Sequence, residues 1–188
     1  MIKKLIVSIG IVVLMTVSVS AYAPVEQQAA ARGIAEQARV LGLPEDDPII
    51  VRAQELWWSA EEARAWDRDL IAATIYHEAW GGCSDRHREL VGAVVLNRVL
   101  SDAWPNSVYE VLTAPRQYAV NPKSKIWWKP RENDTIWREC QNIADRVLAK
   151  KVEIDSNVVY QANFRQGSGV YEVHRTSYSV SYFCFGKA

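Results

Sequence analysis

One carboxylate in this sequence is placed to act as a proton donor. Glu78 lies near the end of the apolar, helix-forming run from Leu70 to Ala79, and Gly81 and Gly82 follow it. Burial disfavours the charged form of a carboxyl group, and the negative end of a helix disfavours a nearby anion. We therefore expect Glu78 to keep its proton near neutral pH and to serve as a general acid, as acid catalysts of glycosidic cleavage do.

Ordinary glycosidases use two carboxylates, and the sequence offers no clear partner for Glu78. Asp85, Glu89 and Asp102 are the candidates, and none of them has a compelling position. This favours a mechanism with a single glutamate. The competing structural interpretation is a buried Glu78 that pairs with an arginine, such as Arg98 on the following helix.

Cysteine chemistry is the main catalytic alternative. Cys83 follows the two glycines and precedes the start of a helix, where the helix dipole lowers the pKa of a thiol. His174, on a predicted strand, would then act as its base, as in secreted cell-wall peptidases or amidases. The structural alternative is that Cys83 is half of a disulfide or a small loop residue.

A metal centre is not predicted. His77 and Glu78 begin like a zinc-protease motif, but Gly81 stands where the second histidine would have to be. The remaining histidines, His87 and His174, have no ligand spacing. The eight Trp and eight Tyr leave open a third possibility, a non-catalytic module that binds glycans by stacking aromatic rings on sugars. Individually, most of these aromatic residues are expected in the core.

Start and stop signals predict the helices. A first helix is expected over residues 25–40. Asp47 and Pro48 begin a second one that ends near Ala65, and Asp67 is expected to cap a separate helix that carries Glu78. Three more helices are expected to end near Asp102, Leu112 and Lys150, with N-caps at Ser84, at Asn106 or Ser107, and at Asn133 or Asp134.

Strand patterns are confined to the last part of the chain. Val158–Tyr160 and Val170–Val173 flank the turn-forming residues Gln166–Gly169, which predicts a hairpin or a short loop. Ser177–Tyr182 alternates as a half-buried strand does. The fold class is therefore α+β, mainly helical, with a small C-terminal antiparallel sheet.

The chain as a whole suits an exported protein with one main domain. Lys3 and Lys4, an apolar run and a small-residue stretch predict a signal peptide over residues 1–21, with an uncleaved anchor as the alternative. We assign residues 22–66 to an N-terminal helical segment and 67–188 to the catalytic domain. The expected location is secreted or cell-envelope, without stable membrane insertion after processing.

Charge and cysteine content narrow the partners. Lys and Arg together number 22, and so do Asp and Glu. The sequence has no stripe of basic residues that would indicate nucleic acid binding. The three cysteines fit either one disulfide with a spare thiol or three reduced thiols. They are Cys83, Cys140 and Cys184.

Four motifs in order resemble a known family. They are the helix end Ile75–Ala79, the helix Val91–Val99, the turn Trp104–Leu112 and the pair Gln117-Tyr118. Together they resemble the spore cortex-lytic enzyme (SleB-like) cell wall hydrolases, over about residues 68–186. The sequence departs from that family at Gly82, where a second glutamate is usual, and at Tyr118, where Phe is usual.

The resemblance implies a lysozyme-like fold related to lytic transglycosylases, with peptidoglycan glycan strands as substrate. It implies that Glu78 protonates the bridging oxygen between N-acetylmuramic acid and N-acetylglucosamine. Glu78 would then accept the proton of the muramic C6 hydroxyl, which gives a 1,6-anhydro product without a cofactor. Gln117 and Tyr118 would position the sugar, and the sequence names no regulatory partner. The candidate stacking residues, each with a competing core interpretation, are Trp80, Trp104, Trp127 and Tyr160.

Overall fold

A computed structural model describes residues 33–187, except for the side chains of residues 52 and 55–60. The predicted signal peptide, residues 1–21, lies outside the described residues. The chain divides into two units between Trp66 and Asp67. Over the described range, none of the helices has the length and apolar character needed to cross a membrane.

The first unit contains a helix, α1, described over residues 33–40, with Ala35 and Ala38 buried. A longer helix, α2, extends over Pro48–Ala79, and the carboxylate of Asp47 accepts the N–H of Ile49 at its start. The predicted helix break at Asp67 is wrong. No Gly or Pro interrupts residues 49–79, and Asp67 is buried along the helix rather than capping a new one.

The end of α2 is set by two glycines. Gly81 and Gly82 have φ angles of 74° and 80°, in the left-handed region that other residues avoid. The helix therefore stops directly after Glu78 and Ala79, as the sequence predicts.

Three further helices follow: α3 over Asp85–Leu100, α4 over Val108–Thr113 and α5 over Asp134–Leu148. The predicted N-caps are confirmed, because the side chains of Ser84, Ser107 and Asn133 each accept a backbone N–H from three residues later. A short 3₁₀ helix, Lys129–Glu132, precedes α5.

The core of the second unit lies where α3 contacts its neighbours. A Cβ at Gly92 would be 3.1 Å from Val147 on α5 and 3.2 Å from Ile71 and Ile75 on α2. The missing side chain lets three helical backbones approach closely. Residues all round α3 are buried, among them Leu90, Val91, Val94 and Val95, so α3 is the central helix of this unit.

The sheet follows α5 and consists of β1 over Val158–Ala162, β2 over Val170–Arg175 and β3 over Val180–Phe185. All pairs are antiparallel and the order is β1-β3-β2, so β1 and β2 do not form the predicted hairpin. The third strand also begins later than predicted. Thr176 closes a turn with Ser179 by backbone and hydroxyl hydrogen bonds, which places residues 177–179 between the strands. The predicted α+β class, mainly helical, is confirmed.

Candidate active site

Glu78 lies in the last turn of α2 and is half-buried. Burial raises the pKa of its carboxyl group, and the positive charge of Arg98 opposes this shift in part. Among the described residues, no salt bridge involves Glu78. The carboxyl group is therefore suited to hold and release a proton rather than to anchor the fold.

Arg98 is the centre of the polar network beside Glu78. Its side chain, on α3, is only 3% exposed. Nε donates to the carbonyl of Val159 on β1 over 2.7 Å, and Nη1 donates to the hydroxyl of Tyr118 over 3.1 Å. Because these donors are directed at β1 and Tyr118, the ion pair of Glu78 with Arg98 that the sequence left open is not formed.

Tyr118 comes next to Arg98 in the loop after α4. Burial raises the pKa of its phenol, Arg98 lowers it and the charge of Glu78 raises it. The three groups therefore lie within electrostatic range of one another. Gln117, directly before Tyr118, is half-buried, and its backbone N–H donates to Ala114.

The guanidinium group of Arg98 also packs against an aromatic ring, that of Trp104. The guanidinium carbon lies 4.3 Å from the ring centre of Trp104, and Trp104 meets Tyr160 edge-on at 6.2 Å. We call Glu78, Arg98, Trp104, Tyr118 and Tyr160 the Arg98 cluster. Four members are predicted site residues. Tyr118 and Trp104 contact Arg98 directly, whereas Tyr160 is linked to it through Trp104 and Glu78 through an electrostatic interaction.

Two clefts share Trp104 as a wall. One, of about 760 Å³, lies between the end of α3 and α4 and includes Asp102 and Glu110 in its lining. The other, of about 570 Å³, includes Tyr160 of β1 and Asn157. Both are open at the surface, so an extended ligand has room on either side of Trp104.

Two predicted stacking residues lie elsewhere. Trp80 is half-buried, with the guanidinium of Arg88 4.3 Å from its ring centre and Tyr76 stacked at 6.0 Å. Trp127 is completely buried, and its ring stacks on His77 at 5.6 Å. Its position corresponds to the core interpretation.

Two of the three candidate partner carboxylates are held by arginines. Asp85 pairs with Arg88 at 3.0 Å, and Glu89 pairs with Arg146 at 3.0 Å. Asp102 is exposed and lines both clefts. Asp85 and Glu89 thus each have an arginine as ion-pair partner.

The comparison with protein families matches the second unit. The family model described as Cell Wall Hydrolase matches residues 83–182. The chain belongs to the cell wall hydrolase family. This match covers more than half of the sequence and confirms the resemblance to SleB-like hydrolases. Neither the curated proteins nor the solved structures gave a match.

Membership in the cell wall hydrolase family indicates peptidoglycan as the substrate and an envelope-associated place of action. The matched segment begins just after Glu78 and contains Arg98, Trp104, Tyr118 and Tyr160. The family comparison therefore covers most of the Arg98 cluster but not its carboxylic acid.

The cysteines of this cell wall hydrolase are all free thiols, and Cys140 and Cys184 are buried. The predicted lowering of the Cys83 pKa is wrong: burial raises it, and Arg88 only partly opposes this. His174 directs Nδ1 at the hydroxyl of Ser84, 3.5 Å away, rather than at the thiol. Among the described residues, no group of three or more potential metal ligands exists.

The structure gives Arg98 and Asn97 a role beyond the possible ion pair of Arg98 with Glu78 that the sequence indicates. Asn97 Nδ2 donates to the carbonyls of Asp155 and Val158, and Arg98 Nε donates to that of Val159, so both residues fasten α3 to the segment that leads into β1 and to β1 itself. One signal was available: Arg98 occupies an apolar helix face, and a buried arginine requires specific partners.

Proposed function

We propose that this protein is a secreted lytic transglycosylase with a single catalytic glutamate, Glu78. It cleaves peptidoglycan between N-acetylmuramic acid and N-acetylglucosamine. The observation that carries the proposal is the half-buried carboxyl of Glu78, whose pKa is raised by burial, within the Arg98 cluster of a cell wall hydrolase. Secretion would depend on residues 1–21.

In the first step, protonated Glu78 donates its proton to the oxygen that joins the two sugars. The bond from the muramic C1 to that oxygen breaks, and positive charge develops on the sugar ring. A raised pKa keeps the acid protonated at the pH where the reaction begins. The N-acetylglucosamine of the next disaccharide leaves with a free C4 hydroxyl.

In the second step, the carboxylate of Glu78 accepts the proton of the muramic C6 hydroxyl while the C6 oxygen bonds to C1. Arg98 favours this ionised state, since its charge lowers the pKa of Glu78. One group therefore serves first as acid and then as base, and the proton balance is restored. Asp85 and Glu89 are not needed as a second carboxylate.

The aromatic members of the Arg98 cluster would position the glycan. Trp104 lines both clefts and Tyr160 lines one of them. Tyr118, which directly follows Gln117, lies within electrostatic range of Glu78. Sugar rings present apolar faces that such side chains cover. The glycan strand would run along the clefts and past Trp104.

The raised thiol pKa of Cys83 and the orientation of His174 toward Ser84 give no support to a cysteine peptidase. We therefore retain the single-glutamate reaction as the proposal.

The deciding experiment is mass spectrometry of fragments released from purified peptidoglycan by the mature protein, alongside Glu78→Gln and Glu89→Gln. We expect 1,6-anhydro-muramic ends from the parent and from Glu89→Gln. Glu78→Gln keeps the shape but has no proton to donate, so release should fall by about 10²- to 10⁴-fold.

Other products would lead to other conclusions. Reducing muramic ends that vanish in Glu78→Gln would retain the acid but replace anhydro formation by hydrolysis. Cleaved stem peptides would overturn the proposal in favour of a peptidase. Binding to cell walls with no fragments from any variant would indicate a glycan-binding module.

A further inference from the structure

A second group of reactive side chains lies where the start of α3 meets β2. The hydroxyl oxygen of Ser84 is 3.5 Å from Nδ1 of His174, and Nε2 of the same imidazole is 2.6 Å from Oε1 of Glu172. Glu172 and His174 alternate along β2, so both project from the same face of the strand. The three groups form a hydroxyl–imidazole–carboxylate series that shares no residue with the Arg98 cluster.

Glu172 is held as a carboxylate. Although burial opposes ionisation, hydrogen bonds from Arg86 and His174 hold the pKa of Glu172 below its usual range. Arg86 donates to this carboxylate through Nη2 over 2.8 Å and to the carbonyl of Glu153 through Nη1 over 2.7 Å. The arginine is therefore fixed from two sides, and Glu172 is fixed with it.

An ionised Glu172 determines the tautomer of His174. A carboxylate only accepts hydrogen bonds, so Nε2 carries the proton that it accepts. Nδ1 then has a free electron pair directed at Ser84 and can accept the proton of its hydroxyl. The distance of 3.5 Å is long, but nucleophile–base contacts are often long without substrate and shorten in the complex.

Ser84 is both accessible and polarised. Its side chain is exposed, and its oxygen accepts the backbone N–H of His87 over 3.2 Å at the N-cap of α3. The first backbone N–H groups of a helix have no partner within the helix, and they lie next to the N-cap residue. Such donors, together with the helix dipole, stabilise negative charge on a nearby oxygen.

We propose that Ser84, His174 and Glu172 form a nucleophile–base–carboxylate triad that hydrolyses short-chain carboxylic esters on exposed hydroxyl groups. The proposal goes beyond the action on glycan strands. An exposed serine at a helix start suits a small acyl group carried by a larger molecule, because the rest of that molecule can remain in solvent.

The reaction balances with water as the only co-reactant. The Ser84 oxygen bonds to the acyl carbon while its proton passes to His174 Nδ1. The bond between the acyl carbon and the alcohol oxygen then breaks, and the alcohol leaves with that proton. A water molecule repeats the transfer: its oxygen bonds to the acyl carbon, Ser84 regains its proton through His174, and the carboxylic acid is released.

The test uses p-nitrophenyl acetate as substrate and a fluorophosphonate as covalent probe, with labelled peptides identified by mass spectrometry. Ser84→Asn is the central variant, because asparagine is as good an N-cap as serine but is not a nucleophile. We expect single labelling of the parent at Ser84, none in Ser84→Asn, and at least a hundredfold loss of hydrolysis in Ser84→Asn and His174→Gln. Circular dichroism should show Ser84→Asn folded.

Two control variants separate this site from its neighbours. Cys83→Ala and Glu78→Gln should hydrolyse the ester at the parental rate, and Ser84→Asn should release glycan fragments like the parent. Hydrolysis that survives in folded Ser84→Asn, or a parent that is neither labelled nor active on the ester, would overturn the proposal. Loss of hydrolysis in Cys83→Ala with retention in Ser84→Asn would assign the activity to the thiol instead. The outcomes that would overturn the proposal are read from ester hydrolysis and labelling alone, so they do not depend on the glycan reaction.

Discussion

Replacing Arg98 separates its structural role from its electrostatic one. The side chain is buried and donates two hydrogen bonds, to Val159 and Tyr118. A hydrogen bond with a charged partner contributes about 1.5–3 kcal/mol to stability. Arg98→Met loses both bonds and should reduce the free energy of unfolding by about 3–6 kcal/mol, whereas Arg98→Lys keeps the charge and one possible donor and should lose about half of that.

The same two variants affect catalysis differently. Arg98 lowers the pKa of Glu78, so its removal leaves burial unopposed and raises that pKa further. Since the first step requires protonated Glu78, the alkaline limb of the pH–rate profile should move to higher pH in Arg98→Met. In Arg98→Lys the limb should stay near its parental position, because a positive charge remains.

Two assays test these variants. Urea unfolding, monitored by tryptophan fluorescence, measures stability, and fragment release from cell walls at pH 4–9 measures activity. Tyr118→Phe removes one of the two hydrogen bonds and no charge, so it serves as a control that should cost about 1.5–3 kcal/mol, half of the loss in Arg98→Met. An Arg98→Met protein that loses less than about 1 kcal/mol, or whose alkaline limb does not move upward, would refute this account of Arg98. If Arg98→Met fails to fold, Tyr118→Phe and Arg98→Lys still test the account, because both should be less stable than the parent by similar amounts.

Three further predictions concern other parts of the chain. Trp104→Ala removes the ring shared by both clefts. In assays with solubilised glycan it should raise KM about tenfold more than it changes kcat. An unchanged KM would exclude Trp104 from glycan binding. Asp67 is buried, which raises its pKa to about 7. The free energy of unfolding of the parent should therefore fall by up to about 4 kcal/mol as pH rises from 4 to beyond 7, whereas that of Asp67→Asn should not. Equal parental Tm values at pH 5 and 8 would contradict this. Gly92→Val places methyl groups against Val147 and Ile71 and should lower stability by about 1–3 kcal/mol, detected as a lower Tm; no decrease would show that the helices can separate there.

Local features were predictable from the sequence because neighbouring residues determine them. The N-caps at Ser84, Ser107 and Asn133 and the glycine stop after α2 need only a few adjacent residues, and all four appear as predicted. Asp67 shows the limit of such rules. A good cap residue does not start a helix when the flanking sequence has no residue that stops the preceding one.

Partners distant in sequence were not predictable. Arg98 donates to Val159, 61 residues later, and to Tyr118, 20 residues later. Its place on an apolar helix face indicates that the arginine needs buried partners but does not identify them. The strand order could not be predicted for the same reason. Alternation within β1, β2 and β3 identifies strands, but pairing depends on which edges meet in space. The half-burial of Glu78 and the upward shift of its pKa were predictable, because Glu78 lies at the end of an apolar helical run.

The position of β3 between β1 and β2 means that neither outer strand has its strand partner before β3 is present. During synthesis β1 and β2 emerge first, and neither has a strand partner until residues 180–185 follow. In that interval the side chains of Asn97 and Arg98 on α3 can already donate hydrogen bonds to the carbonyls of residues 155, 158 and 159. The arginine beside Glu78 would then serve as the template on which the sheet is completed, and a nascent chain lacking β3 would expose two unpaired strands to aggregation.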